Sequence, residues 1–298
     1  MAVLICWKGF IMKKPYLFAG FAIFFWSTIA TVSKLLLGSM GSMQVLAISS
    51  FFAFLFLLVL NLIKGNLREL KKIHLKDYAI LFGLGLLGIF LYNLFLYWGM
   101  ERMEGGKAFI INYLWPLMIV LFACIILKEK FTLQKLVATF LSFGGVILIT
   151  AGDIAGGTDP LGALFCVCAA VSYGLFSVLN KKCNYNNYLA MMLYYLFASL
   201  LAAGYLAIEG GQLLPTLSQI PGLLWSGIFT YAIAYTFWAL ALADGETAKI
   251  SNLAYITPFL SLVWTTLILK EPFDPLALLG LLLIVGGILI QNIKSKKE

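Results

Sequence analysis

The chain is poor in the groups that metal sites and acid–base catalysts depend on. One histidine and 13 acidic residues in 298 leave little material for either, and neither a metal nor a cofactor is expected. Charged residues make up 11% of the sequence, against about 25% in a soluble domain. With 62% apolar residues as well, both a soluble globule and a disordered chain are excluded. The five cysteines, Cys6, Cys124, Cys166, Cys168 and Cys183, include no CxxC pair, and four lie in or beside apolar runs. They read as small buried hydrophobes or free thiols, not as a disulfide framework. No Asp or Glu falls in the central part of any long apolar run. An intramembrane acid relay of the kind used by proton-driven carriers is therefore unsupported.

What the chain has is long apolar runs. They predict ten membrane-spanning helices, at 16–37, 43–63, 78–99, 107–127, 133–151, 161–181, 189–208, 222–242, 248–269 and 275–292. Ten spans of about 20 residues leave roughly nine residues for each tail and loop, too few for an extramembrane domain. The first run is too long for the apolar core of a signal peptide and is expected to stay in the mature protein. Residues 1–11, before Met12-Lys13-Lys14, are given no functional weight.

The net charge of +8 could suggest a nucleic-acid partner, but its placement explains it otherwise. With a cytoplasmic amino terminus, seventeen of the 21 Lys and Arg residues fall on the inner side, five of them between Lys64 and Lys76, and only Arg102, Lys107 and Lys270 on the outer. Cytoplasmic loops carry such an excess. Both termini are therefore expected inside, and nucleic-acid binding is not needed.

The two halves repeat. Asn112-Tyr-Leu-Trp-Pro116 and Ala254-Tyr-Ile-Thr-Pro258 stand 142 residues apart. At the same shift Leu127-Lys128-Glu129 meets Leu269-Lys270-Glu271, and Gly144-Gly145 meets Gly286-Gly287. The first helix of each half aligns at a shift of 147, which pairs Trp26 with Tyr173 and Lys34 with Lys181, the slack falling between the second and third helices. The expected organisation is an all-α integral membrane protein of two five-helix units, 16–151 and 160–292, flanked by an amino-terminal tail, 1–15, and a basic tail, 293–298. An odd number of crossings per unit places the second upside down, the architecture of secondary transporters.

Several mid-span residues carry chemistry. Pro116 and Pro258 withhold the N–H that the carbonyls of Asn112 and Ala254 would need, and predict paired helix breaks beside a cavity. Tyr231, Tyr235 and Trp238 share one face of the eighth helix, with Asn93 at the repeat position of Tyr235 and Tyr97 one turn on. Trp26, Ser27, Thr31 and Lys34 form a polar stripe in the first helix, as Tyr173, Ser177 and Asn180 do in the sixth. Together with Asn112, Tyr113, Trp115 and Tyr255 beside the prolines, these predict an aromatic-lined, hydrogen-bonding pocket. Lys34 has a substrate carboxylate and simple snorkelling as its two readings, whereas Lys181 is expected to snorkel. Tyr92, Trp98 and Tyr194 read as interfacial aromatic belts. Glu129 and Glu271 read as helix-dipole partners, and His74 as a solvated loop residue.

The doubled five-helix pattern, the Lys-Glu pairs after the fourth and ninth helices and the Gly-Gly pairs in the fifth and tenth resemble the drug/metabolite transporter superfamily, in its EamA branch, over residues 16–292. Trp26-Ser27-Thr28, Asn112-Tyr113-Leu114-Trp115-Pro116 and Tyr235 to Trp238 before Gly245 look like the YddG-type aromatic amino acid exporters. That likeness implies ten helices with cytoplasmic termini, a central cavity between helices one, three, four, six, eight and nine, and outward movement of amino acids or similar metabolites across the cell membrane. The chain departs from the YddG pattern at Ser172-Tyr173, where a tryptophan is usual. The partners implied are a small-molecule substrate and the lipid bilayer, and a homodimer is compatible with them. The competing functions are a lipid flippase or accessory subunit of a lipid-modifying system, and an integral membrane enzyme. The second lacks the His, Asp and Glu constellations it would need.

Overall fold

The computed structural model describes residues 14–37, 39–102, 105–130, 132–149, 159–183, 185–270 and 276–292, and among these every regular element is helical. Eight helices are long and apolar enough to cross a bilayer: α1 (Lys14–Ser33), α2 (Ser42–Lys64), α3 (Leu75–Arg102), α4 (Ala108–Ile126), α6 (Pro160–Cys183), α7 (Asn187–Glu209), α8 (Leu217–Asp244) and α9 (Thr247–Leu269). Two shorter apolar helices, α5 (Leu133–Ile149) and α10 (Leu276–Asn292), stand where the fifth and tenth spans were expected. The chain is thus a multi-pass membrane protein. Leucine, isoleucine and phenylalanine side chains such as Phe21, Leu55, Leu200 and Leu282 stay exposed on its outside, as lipid requires.

The helices are interrupted at matched places. α3 widens to a π-helical segment at Leu86–Leu91 and α8 at Trp225–Ile233, so that both segments end 142 residues apart. α4 pauses between Asn112 and Trp115, where the Leu114 N–H donates to the Ile111 carbonyl at 3.1 Å, and α9 tightens to a 3-10 turn over Ala254–Ile256. Pro116 and Pro258 each follow the first residue of the helix that resumes, where a missing N–H costs little. The expected breaks are therefore single tight turns, not unwound stretches. α1 has an interruption the repeat did not announce: the Ser27 and Thr28 hydroxyls bond the carbonyls of Phe24 and Phe25, each at 2.7 Å, and the helix restarts at Ile29. Serine and threonine in such back-bonds loosen the helix ladder.

Matched ends accompany the matched interruptions. α2 and α7 stop at Gly65 and Gly210, both at φ +72°, the left-handed cap that glycine adopts without strain. Those caps stand 145 residues apart, so the slack in the repeat is divided on both sides of the second helix instead of falling only after it. Lys128 and Lys270, at φ 56° and 60°, are the non-glycine residues in that conformation among those described. α5 and α10 pack closely through small residues, the membrane solution to helix association. A Cβ on Gly145 would overlap the Gly280 carbonyl, and one on Gly287 the Ala138 carbonyl. The contact is reciprocal, because each residue in it exchanges with its repeat partner.

Candidate functional site

Where α1, α4, α6 and α8 meet, five aromatic side chains from the two halves close on one another. The Trp26 ring lies 5.1 Å from Trp238, 5.2 Å from Tyr235, 5.9 Å from Trp115 and 6.3 Å from Tyr173. Trp115 completes the ring set, edge-on to Tyr173 at 5.1 Å and to Trp238 at 5.4 Å. Edge-to-face pairs at these spacings contribute about 0.5–1.5 kcal/mol each beyond burial. All five are buried. They come from four helices, Tyr235 and Trp238 both from α8, and the sequence repeat aligns Trp26 with Tyr173.

Polar atoms in this cluster lack protein partners. The indole N–H groups of Trp26 and Trp238, the Tyr173 hydroxyl and the Asn112 Oδ1 are buried without a hydrogen bond. The other end of the Asn112 amide is held, because its Nδ2 donates to the Tyr92 hydroxyl at 3.2 Å. A buried polar group without a partner costs about 1–3 kcal/mol. Two N–H donors, one hydroxyl and one acceptor are thus left unpaired among the aromatic faces.

The remaining predicted residues divide. Tyr97 adjoins Tyr231 on α8, and Tyr231 stacks on Tyr195 at 5.6 Å, extending the aromatic set toward α7. Asn93 uses its Nδ2 on the Ile89 carbonyl of its own helix at 2.7 Å, filling a bond that the π-helical segment displaces. Ser27 accepts from the Trp264 indole at 2.9 Å and so faces α9, away from the rings. Ser177 bonds the Tyr173 carbonyl at 2.8 Å. Tyr113 and Tyr255 join a separate apolar cluster with Val146 and Ile284 between α5 and α10. Pro116 and Pro258 mark the paired turns as described. The Lys34 side chain and Glu271 lie outside the described residues.

Three readings of the sequence are corrected. Tyr92 and Tyr194 are interior, not interfacial: Tyr92 packs on Tyr173 at 5.1 Å, and the Tyr194 hydroxyl donates to Asn180 at 2.9 Å. Lys181 does not snorkel, since its Nζ donates to Thr247 Oγ1 at 2.8 Å and the Gly245 carbonyl at 3.0 Å and pairs with Glu129 at 3.4 Å. Glu129 is accordingly an ion-pair partner and not only a dipole partner. Nearby, Glu246 bridges Lys135 at 3.1 Å and Lys249 at 2.9 Å. Burial raises the Glu246 carboxyl, but hydrogen bonds from the two lysines outweigh it and hold it below its usual range. The stabilisation from this group is present above the ordinary carboxylate pKa and is lost as pH falls through the lowered one.

The EamA-like transporter family model matches the chain twice, over residues 13–151 and 160–293. An uncharacterized transporter of Clostridium kluyveri is 27% identical over 96% of this chain and 95% of its own. Uncharacterized transporter YvbV of Bacillus subtilis is 27% identical over 78% of each chain. The aromatic amino acid exporter YddG of Ancylobacter novellus is 23% identical over 72% of this chain and 76% of its own. A solved crystal structure shares the fold, with a TM-score of 0.84 at 20% identity over 93% of this chain and 96% of that one. With both halves matched and an apolar helical bundle throughout, the chain belongs to the EamA-like transporter family.

Proposed function

We propose that the protein is a secondary carrier that moves amino acids with aromatic or other apolar side chains out of the cell by alternating access. It crosses the cell membrane ten times, as two inverted five-helix units, 16–151 and 160–292, with short tails 1–15 and 293–298 and both termini in the cytoplasm. α5 and α10, at 17 residues each, are at the short end of the span range.

The observation that carries this reading is the ring cluster with its unpartnered polar atoms. The cargo side chain packs on Trp115 and Trp238. Its carboxylate accepts from the Trp26 and Trp238 N–H groups, and its ammonium donates to Asn112 Oδ1 and rests against the aromatic faces. The matched interruptions in α3, α8, α4 and α9 supply turns at which two equivalent halves exchange arrangements. The name of the Ancylobacter relative agrees with the chemistry of the cluster.

The test is uptake of labelled phenylalanine into proteoliposomes, competed by unlabelled amino acids. Tryptophan, tyrosine and leucine should compete, and glutamate and lysine should not, because the described part of the cluster holds no charged side chain. Competition by charged amino acids equal to that by tryptophan would reject the cargo assignment.

A further inference from the structure

At the end of the bundle that the charge distribution assigns to the cytoplasm, the connection after α4, the end of α6 and the connection between α8 and α9 converge on one side chain. The Lys181 ammonium has three N–H donors. All three are used on three different partners: Glu129 after α4, the Gly245 carbonyl after α8 and the Thr247 hydroxyl opening α9. The Thr247 hydroxyl donates onward to Glu129, closing the ring of contacts.

The backbone is shaped for this meeting. The left-handed Lys128 turns the chain under α4, and the Glu129 N–H is pinned to the Ala123 carbonyl at 3.2 Å. A side chain at position 245 would overlap the Ala241 carbonyl, so only glycine lets that connection approach. Glu246, between Lys135 of α5 and Lys249 of α9, ties the α8–α9 connection to the start of α5 as well.

The position relative to the aromatic cluster gives this group its meaning. Tyr173, Ser177 and Lys181 are spaced i, i+4, i+8, and Trp238, Leu242 and Gly245 are spaced i, i+4, i+7, so each set shares one helix face. Lys181 therefore closes the bundle directly beneath the rings along both α6 and α8. An exposed ion pair contributes little, but here both partners are only about a fifth exposed, at 20% and 22%. An opening that drew α6 away from the two connections would break all three Lys181 contacts together.

We propose that Lys181 is the latch of a cytoplasmic gate, held by Glu129, Gly245 and Thr247 while the interior is closed to the cell and released when it opens inward. This rests on the carrier reading above. In a variant with the native cysteines replaced by alanine, Ser177→Cys reports access to the space above the latch. A membrane-impermeant maleimide is applied to inside-out vesicles without cargo. Lys181→Met and Glu129→Gln should each accelerate labelling about tenfold, the worth of a hydrogen-bonded charged contact. Lys182→Met, at the exposed neighbouring position, should not, and the swapped pair Lys181→Glu with Glu129→Lys should return labelling toward the slow rate.

Unchanged labelling in Lys181→Met, or equal acceleration by Lys182→Met, overturns the latch. If Lys181→Met does not reach the membrane, Glu129→Gln decides by the same rates. The readout needs no cargo, so the two proposals fail separately. Amino acid exchange by the wild type with unaffected labelling would overturn the latch alone, and accelerated labelling without exchange would overturn the carrier reading alone.

Discussion

Trp26 of α1 and Trp238 of α8 meet with ring centroids 5.1 Å apart at an interplanar angle of 51°, and both indole N–H groups remain without a partner in the buried interior. A tilted pair from opposite halves of the chain gives a wide apolar wall with two donors set into it.

Trp238→Ala removes ring area from that wall. The apparent KM for aromatic cargo should rise about tenfold, equivalent to about 1.4 kcal/mol, while that for threonine-sized cargo changes little. Kinetics with labelled phenylalanine and threonine check this, and an equal loss for both would reject the wall as the side-chain contact.

Pro116→Ala and Pro258→Ala restore an N–H at each of the paired turns, and alanine favours continuous helix. Transport should fall while membrane abundance is retained, and to a similar extent in the two variants because the turns are repeat partners. Normal transport in both would remove the turns from the mechanism.

Gly145→Ala and Gly287→Ala insert a methyl group against a facing carbonyl in the α5–α10 contact. Overpacking of this kind costs about 1–3 kcal/mol, so both should lower the unfolding temperature in detergent by similar amounts. Gly144→Ala, whose added Cβ meets nothing within 4 Å, is the control and should leave it unchanged.

The connection between α2 and α3, with the helix ends that flank it, holds Lys64, Arg68, Lys71, Lys72 and Lys76 and should face the cytoplasm. Asn66→Cys should label from the cytoplasmic side alone. Labelling of intact cells by an impermeant reagent would invert the proposed topology.

Mid-span placement and the repeat were enough to pick out Trp26, Trp115, Tyr173, Tyr235 and Trp238 from the sequence, because large side chains at matched depths in opposite halves have few places to pack except against one another. The paired turns were legible from Pro116 and Pro258 for the same reason. Which way a neighbouring residue points was not. A 3-10 turn rotates the chain further per residue than an α-helix, and it carries Tyr255 away from the rings into the α5–α10 contact, with Tyr113 following at the matched pause in α4. The π-helical segments before Tyr92 and Ala234 shift the face in the opposite sense, and nothing in the composition of Leu86–Leu91 marks one. A tyrosine in an apolar run looks the same whether its hydroxyl meets a headgroup or, as Tyr92 does, the amide of Asn112. The Lys181 contacts depend on a left-handed lysine and two connections distant in sequence, and no local pattern announces them.

The central claim is that the ring cluster binds an amino acid and presents it to each side of the membrane in turn. Counterflow tests this most directly: proteoliposomes preloaded with unlabelled phenylalanine should accumulate external labelled phenylalanine transiently above its equilibrium level, and Trp26→Ala should abolish the overshoot. Wild-type protein, folded and inserted, that gives no overshoot with any aromatic or aliphatic amino acid would contradict the account.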